Sequence, residues 1–462
     1  MKEKILIVLI IALALIVRLY KIDNPIADWH SWRQADTTAV ARNFEKFGFD
    51  PLRPKYDDLS NVQSGKDNPM GYRMVEFPVY QILGYGLYQI IRTMPGITIE
   101  ISLRLINIAA SILTMLMLYG LVKKISGKLV GFCSMLIYGF LPYAVFFHHA
   151  ILPETLAVFF AIGAIWVYDK GKILSGVLAG LAILTKPTVG FLLLPFAYFW
   201  LRDFKFQFSY FLRLFIFCIL TFAGFFWWRQ WILQFPEGIP ANEWLLNGGN
   251  IRFSGAYFYW LLGERLSKLI FGYWLLVPFV LGLIVDKFNM FKSLMLIGVM
   301  VYAIIFARGN VQHDYYQIIW LPVLSIYVGQ GIAFLLTKQQ NLNRLLSGVL
   351  AIVCLGIGIL LSWREIRTYY WINNQTIIEA GQAIDKIADK NAKVIAPYSG
   401  DTAFLYQTKR QGWPVGFEIE KKIKMGADYY VNINVPDAET QYVIKKWTPV
   451  VVNDRYVIVK LK

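Results

Sequence analysis

Residues 101–169 read ISLRLINIAASILTMLMLYGLVKKISGKLVGFCSMLIYGFLPYAVFFHHAILPETLAVFFAIGAIWVYD. Three apolar runs stand in that stretch, near 101–122, 129–147 and 153–169, each long enough to cross a bilayer as a helix. The runs are continuous and not alternating, which is the pattern of spanning helices and not of barrel strands. Lipid offers no partner to a free backbone amide, so the helix is the form that satisfies them. The joints between the runs differ in character. Lys123, Lys124 and Lys128 follow the first, whereas His148, His149, Pro153 and Glu154 separate the second from the third. Lysines hold loops in the cytoplasm, and that sends the histidines and the glutamate to the outer side.

The same reading extends along most of the chain. Further runs lie near 5–20, 172–185, 187–201, 210–231, 269–285, 292–307, 315–336 and 345–363, about eleven spans in all. Hydrophobic residues make up 57% of the 462 residues and charged ones 16%, well away from the balance of a soluble domain. The N-terminal MKEKILIVLIIALALIVRLY has the look of a signal peptide, but no small-x-small site follows it. It is expected to stay as a first span.

One stretch decides the topology. Residues 77–91 are apolar but short, and they carry Pro78, Gln81, Gly84, Gly86 and Gln89. If they lie at the interface without spanning, then Lys2/Lys4, Lys123/Lys124/Lys128, Lys170/Lys172, Arg202/Lys205, Lys287/Lys292 and Lys338/Arg344 all face the cytoplasm. If they span, most of these clusters move outside. The positive-inside rule favours the first arrangement. The expectation is an all-α polytopic membrane domain over 1–363, N-terminus cytoplasmic, with a first outer loop at 21–100 bearing interfacial helices. From 364 to 462 apolar runs shorten to strand length (VIAP, DYYVNI, VVVN, YVIVKL), with charged helical patterns at 375–389 and 438–446. That tail reads as a small α/β domain outside the cytoplasm.

Composition also excludes. The net charge of +16 is explained by loop orientation, and no basic stripe with interleaved aromatics points to nucleic acid. Cys133, Cys218 and Cys354 all sit inside apolar runs without neighbours at ligand spacing, so neither disulfide nor structural zinc is expected.

Residues able to carry chemistry concentrate on the outer side. Just past the first span, residues 25–44 read PIADWHSWRQADTTAVARNF, with Asp28, His30, Arg33, Asp36 and Arg42 close together. Helical spacing begins at Ser31. An interfacial amphipathic helix with solvated charges would account for it, and an Arg33–Asp36 pair at i, i+3 would account for Asp36. Glu76 precedes Pro78 at the head of an apolar helix, where the helix dipole favours an acid. Pro153-Glu154 suits a helix start in the same way. Lys186, in Thr185-Lys186-Pro187, interrupts a long apolar stretch. It must snorkel or find a partner there, and a phosphate would serve. His313, Tyr315 and Tyr316 stand before another span, as an aromatic belt or as the lining of a site.

Taken in order, these places resemble the GT-C membrane glycosyltransferases, in particular the bacterial branch of glycosyltransferase family 39. That branch is related to protein O-mannosyltransferases and to the lipid A aminoarabinose transferase. The resemblance rests on the acidic first loop ending in Ala41-Arg42, Glu76-x-Pro78, Pro153-Glu154, Leu184-Thr185-Lys186-Pro187, and His313-x-Tyr315-Tyr316 before a span bearing Pro322. It implies an inverting hexosyl- or pentosyltransferase. Such an enzyme moves a sugar from a polyprenyl-phosphate donor to a glycan, lipid or protein of the cell envelope, on the outer face of a cell membrane.

In such an enzyme a carboxylate takes the acceptor's proton and cationic groups meet the leaving phosphate. The resemblance leaves the base to Asp28 or Asp36, since Asp28 is followed here by Trp29 where the family often has Glu. It gives Lys186 and Arg33 to the donor phosphate. His30, Glu76, Glu154, His313, Tyr315 and Tyr316 fall to substrate binding. No cofactor is implied; the converging carboxylates and His30 would accept a divalent ion, but no ligand spacing demands one. Two other classes compete: a transporter or flippase of the same lipids, which would want polar groups near the midplane, and a non-enzymatic scaffold, which has no use for Lys186.

Overall fold

In the computed structural model, which describes residues 2–337 and 343–462, the chain forms two compact units. One comprises Met1–Ile22, Arg104–Trp228 and Asn242–Tyr369; the other comprises Asp23–Leu103, Arg229–Ala241 and Tyr370–Lys462. Lys338, counted among the cytoplasmic clusters, lies outside the described residues.

The first unit is helical. Helices occupy the places where the apolar runs predict them: Lys2–Arg18, Ile99–Ser126, Lys128–Phe140, Glu154–Val167, Lys172–Thr185, Phe208–Trp231, Met290–Ile305, Leu321–Leu336 and Arg344–Ile366. Among the described residues, four helices are long and apolar enough by themselves to cross a membrane. Prolines set the breaks. Pro142 divides the run at 129–147 into Lys128–Phe140 and Pro142–Phe147. Pro187 excludes helical geometry from the residue before it. Lys172–Thr185 therefore stops, Lys186 is extended (φ −156°, ψ 105°), and the chain resumes as a 3₁₀ segment over Pro187–Leu193.

The run at 269–285 departs from a single helix. A π-helix, Tyr259–Ile270, precedes it, and Gly272 and Tyr273 turn the chain at φ 50° and 61° before Leu276–Ile284 begins. A Cβ on Gly272 would lie 2.1 Å from the Gly358 carbonyl oxygen, so the turn is made where only glycine fits. Leu321–Leu336 is buried along nearly its whole length, which is why it lacks a polar face.

The second unit is built on a five-stranded sheet with β1 (Lys393–Ile395), β2 (Gly412–Trp413), β3 (Ala427–Asn432), β4 (Thr448–Val452) and β5 (Val457–Lys460), in the order β2-β1-β3-β5-β4. β1 runs parallel to β2 and β3, and β5 antiparallel to β3 and β4. Alternating side chains fill two cores. Val394, Val431 and Ile458 face the helices Gln375–Ile387 and Thr402–Gln407, whereas Ile395, Tyr430, Val457 and Val459 pack with Trp413, Ile419 and Val443.

The make-up of this unit differs from the expected division at 363/364, which kept 21–100 with the membrane helices. Residues 23–103 pack with the tail. Ala27 sits in one sheet core and Leu59 in the other. The first loop also covers the edge strand β2: Leu59 N–H donates to Gly412 O at 2.7 Å, and Gly412 N–H to Asp57 O at 2.9 Å. These contacts join residues more than 300 positions apart, which no local pattern announces.

Candidate active site

Within the second unit, the helix Ser31–Phe47 carries the acidic motif. The charges of its acidic motif, Arg33 and Asp36, are not solvated. Arg33, Gln34, Asp36, Thr37, Thr38 and Asn43 are all buried, together with Ala35, Ala39, Val40, Ala41 and Phe44. Buried charges must be paired, and the partners come from elsewhere in the loop and the tail. Arg33 Nη2 is ion-paired with Glu76 Oε1. Asp36, 1% exposed, accepts from Thr402 Oγ1 at 2.7 Å and from Gln63 Nε2 at 3.0 Å. Arg73 Nη2 lies 3.2 Å from its second oxygen. The i, i+3 pairing of Arg33 with Asp36 is therefore replaced by two longer-range pairs. Arg42 is likewise engaged, paired with Asp57 and stacked 4.2 Å from the Tyr406 ring centroid.

Asp28 is buried just before this helix. Its Oδ1 accepts from Gln34 Nε2 at 2.8 Å and its backbone oxygen from Asn373 Nδ2 at 2.9 Å. His30 takes a left-handed conformation (φ 52°), so that its carbonyl accepts the first-turn N–H groups of Arg33 and Gln34. Two further carboxylates stand near Asp36. Burial pushes Asp401 up to about 6; the Ala403 N–H that it caps lowers it, the Asp36 charge raises it, and His30 lowers it. Burial pushes Asp58 up to about 7 against the opposing hydrogen bonds from Ser60.

The helical unit carries the second group of predicted residues. Glu154 opens the helix Glu154–Val167, and Lys186 stands extended at the Pro187 break. The Lys186 ammonium lies 2.8 Å from Glu154 Oε1, with side-chain exposures of 12% and 1%. Lys186 is not a snorkelling surface lysine. It also approaches Tyr316, 6.0 Å from the ring centroid. His313 stacks on Tyr315 and Tyr316 at 5.3 and 5.7 Å, and Trp244 meets it edge-on at 5.7 Å. The paired tyrosines are buried, so they line the interior of this unit and do not form a belt.

Two residues that sequence reasoning passed over join them. Asp314, buried, accepts from the Tyr369 hydroxyl on its carboxylate and from Tyr143 Oη on its carbonyl. Arg265, on the π-helix, lies 4.0 Å from the Asp314 carboxylate and donates to Val311 O at 2.9 Å. The charged GERLSK run just before a span (263–268) was the available signal for Arg265. Among the described residues, no group of three or more His, Cys, Asp or Glu is placed to hold a metal.

The fold is that of the GT-C membrane glycosyltransferases. A family model described as dolichyl-phosphate-mannose-protein mannosyltransferase matches residues 88–228. ArnT from Cupriavidus metallidurans bound to undecaprenyl phosphate superposes with a TM-score of 0.65 at 13% identity, over 98% of this chain and 97% of that one. The archaeal oligosaccharyltransferase AglB from Archaeoglobus fulgidus, in complex with an inhibitory peptide and a dolichol-phosphate, gives 0.56 at 11% identity, over 97% and 73%. The arabinofuranosyltransferase AftD from Mycobacteria gives 0.57 at 12% identity, over 98% and 41%. No curated protein sequence matches the chain at a significant level. The likeness read from the scattered motifs is thus borne out by both the family model and the fold.

Proposed function

We propose that the chain is an inverting glycosyltransferase that takes a sugar from a polyprenyl-phosphate donor and gives it to an acceptor on the outer face of the membrane. The observation that carries this reading is Lys186. It is a largely but not fully buried ammonium, held extended by Pro187 beside Glu154 and Tyr316, in a fold shared with enzymes solved with undecaprenyl phosphate or a dolichol-phosphate. A desolvated cation is a strong partner for a lipid-borne phosphate.

The acceptor hydroxyl attacks the anomeric carbon, the bond from that carbon to the phosphate oxygen breaks, and the phosphate leaves with the bonding pair. Asp28 takes the hydroxyl proton. Asp36 is saturated by three donors and serves the fold, which favours Asp28 over it. Glu76 orients Arg33, which adds positive charge. His30, His313, Tyr315 and Tyr316 bind substrate, the aromatic rings offering flat apolar faces to a sugar. The acceptor is a glycan, lipid or protein of the cell envelope.

About eleven helices span the membrane, with the N-terminus cytoplasmic and the tail outside. Val79–Ile91, at 13 residues about 20 Å long, lies at the interface. The relatives named above are transferases, which favours this reading over a flippase of the same lipids. Purified full-length protein should transfer sugar from a polyprenyl-phosphate sugar to envelope glycan in detergent. Lys186→Ala should strongly weaken, but leave measurable, the binding of undecaprenyl phosphate, and Lys186→Arg should keep part of it. Lipid flux across vesicles without sugar transfer would overturn the assignment.

A further inference from the structure

The buried carboxylates of this chain fall into two kinds. Asp36 accepts hydrogen bonds from Thr402 and Gln63 beside its arginine, and Asp57 accepts from Asn43 beside Arg42. Directional donors lock each in place. Glu154 is different. It is 1% exposed and 2.8 Å from the Lys186 ammonium, yet among the described residues no hydrogen bond is directed at either carboxylate oxygen. It is held by charge and by position, at the first turn of Glu154–Val167, where the helix dipole favours an anion.

The geometry points to Glu154 as the resident counterion of Lys186, a carboxylate that compensates the ammonium in the empty site and competes with the carrier phosphate for it. The inference rests on the reading of Lys186 as the phosphate-binding group. A largely desolvated ammonium is stabilised by a nearby anion, and Glu154 supplies one. An anion locked by several donors would not yield to a phosphate. Glu154 yields, because among the described residues only Lys186 is ion-paired with it and the helix N-terminus still stabilises its charge after Lys186 turns away.

The charge balance of transfer gives this arrangement a purpose. The donor is a phosphodiester carrying one negative charge. When the anomeric carbon–oxygen bond breaks, the phosphate keeps the electron pair and becomes a monoester with a second charge, while the acceptor proton goes to the base. Lys186 alone would hold that product more tightly than the donor. The nearby Glu154 carboxylate opposes the added charge and reclaims the ammonium, which speeds product release. Glu154 is therefore a positioning residue that acts through Lys186.

The test uses full-length protein in nanodiscs with undecaprenyl phosphate as the probe. Glu154→Gln should bind it about tenfold more tightly, the scale of one partly screened charge contact. The same variant should lose thermal stability when empty and regain it when the probe is added; a merely structural role would leave the loss in both states. Product release should become slower than chemistry and show as a burst. Lys186→Ala combined with Glu154→Gln should bind like Lys186→Ala alone. Should Glu154→Gln fail to fold, Glu154→Asp, with a shorter reach and a longer ion pair, should show the same tightening in smaller measure. Unchanged or weaker binding in the glutamate variants, while Lys186→Ala still weakens binding, overturns the counterion inference alone. Unchanged binding in Lys186→Ala overturns the reading of Lys186 and the inference with it.

Discussion

Asp36→Asn and Asp28→Asn should separate the residue that holds the fold from the one that does chemistry. All three partners of Asp36 are donors. Thr402 Oγ1 addresses one oxygen, and Gln63 Nε2 and Arg73 Nη2 address the other. An asparagine can keep the Thr402 bond, but its amide nitrogen then faces two donors. Gln63 cannot flip to relieve this without surrendering its own bond to Arg73 Nη1. Breaking a buried ion pair by removing one partner costs roughly 3–5 kcal/mol. Arg73 keeps Gln63 and the Tyr56 ring, 5.1 Å away, which lowers the expected loss to about 2–3 kcal/mol. At about 2–4 °C per kcal/mol for a unit of this size, Tm should fall by about 4–12 °C.

Asp28→Asn, by contrast, keeps an acceptor for Gln34 and leaves the backbone bond from Asn373 intact. Its Tm should fall less than that of Asp36→Asn, while turnover should fall by about 10²–10⁴-fold, the usual worth of a general base. Thermal unfolding in detergent and turnover at saturating donor and acceptor measure both. A wild-type Tm in Asp36→Asn would refute the structural argument. A rate loss confined to Asp36→Asn would move the base role there.

Three further outcomes follow from the same contacts. Arg33→Ala and Glu76→Ala should each destabilise by about 3–5 kcal/mol, and the double variant by clearly less than their sum; additive losses would mean the pair does not couple. Asp58 is raised from 3.8 to about 7, so the folded chain holds a proton there that the unfolded chain has released. Stability from this group is present below about 4 and lost as pH rises through about 7. Asp58→Asn should flatten the Tm–pH curve in that window, and an unchanged slope would locate the proton elsewhere. Reporter fusions should read cytoplasmic at Lys123 and extracytoplasmic at Lys390; the opposite result at Lys123 would invert the topology.

Much of the architecture was legible because its signals are local. Span-length apolar runs, prolines that stop helices, and strand-length runs in the tail all act within a few residues, and the helices and most strands stand where they predict. The two-residue strand Gly412–Trp413 carried too little pattern to be seen. The Lys186 break was legible for the same reason, since proline restricts the residue before it whatever the rest of the chain does. The pairing of charges was not. Arg33 and Asp36 at i, i+3 invited a local pair, yet both are buried, and each takes a partner set by packing.

By itself, then, the sequence determined a mostly helical protein with span-length apolar runs and an α/β tail, the positions of its breaks, and the residue types available for chemistry, because apolar patterning and backbone sterics act on short windows. Tertiary structure alone decided that residues 23–103 fold with the tail, that Asp36 is locked by Thr402, Gln63 and Arg73, that Lys186 meets Glu154, and that Arg265 and Asp314 join the aromatic cluster. Desolvated charges must find partners, and which partner lies within reach depends on how distant segments pack.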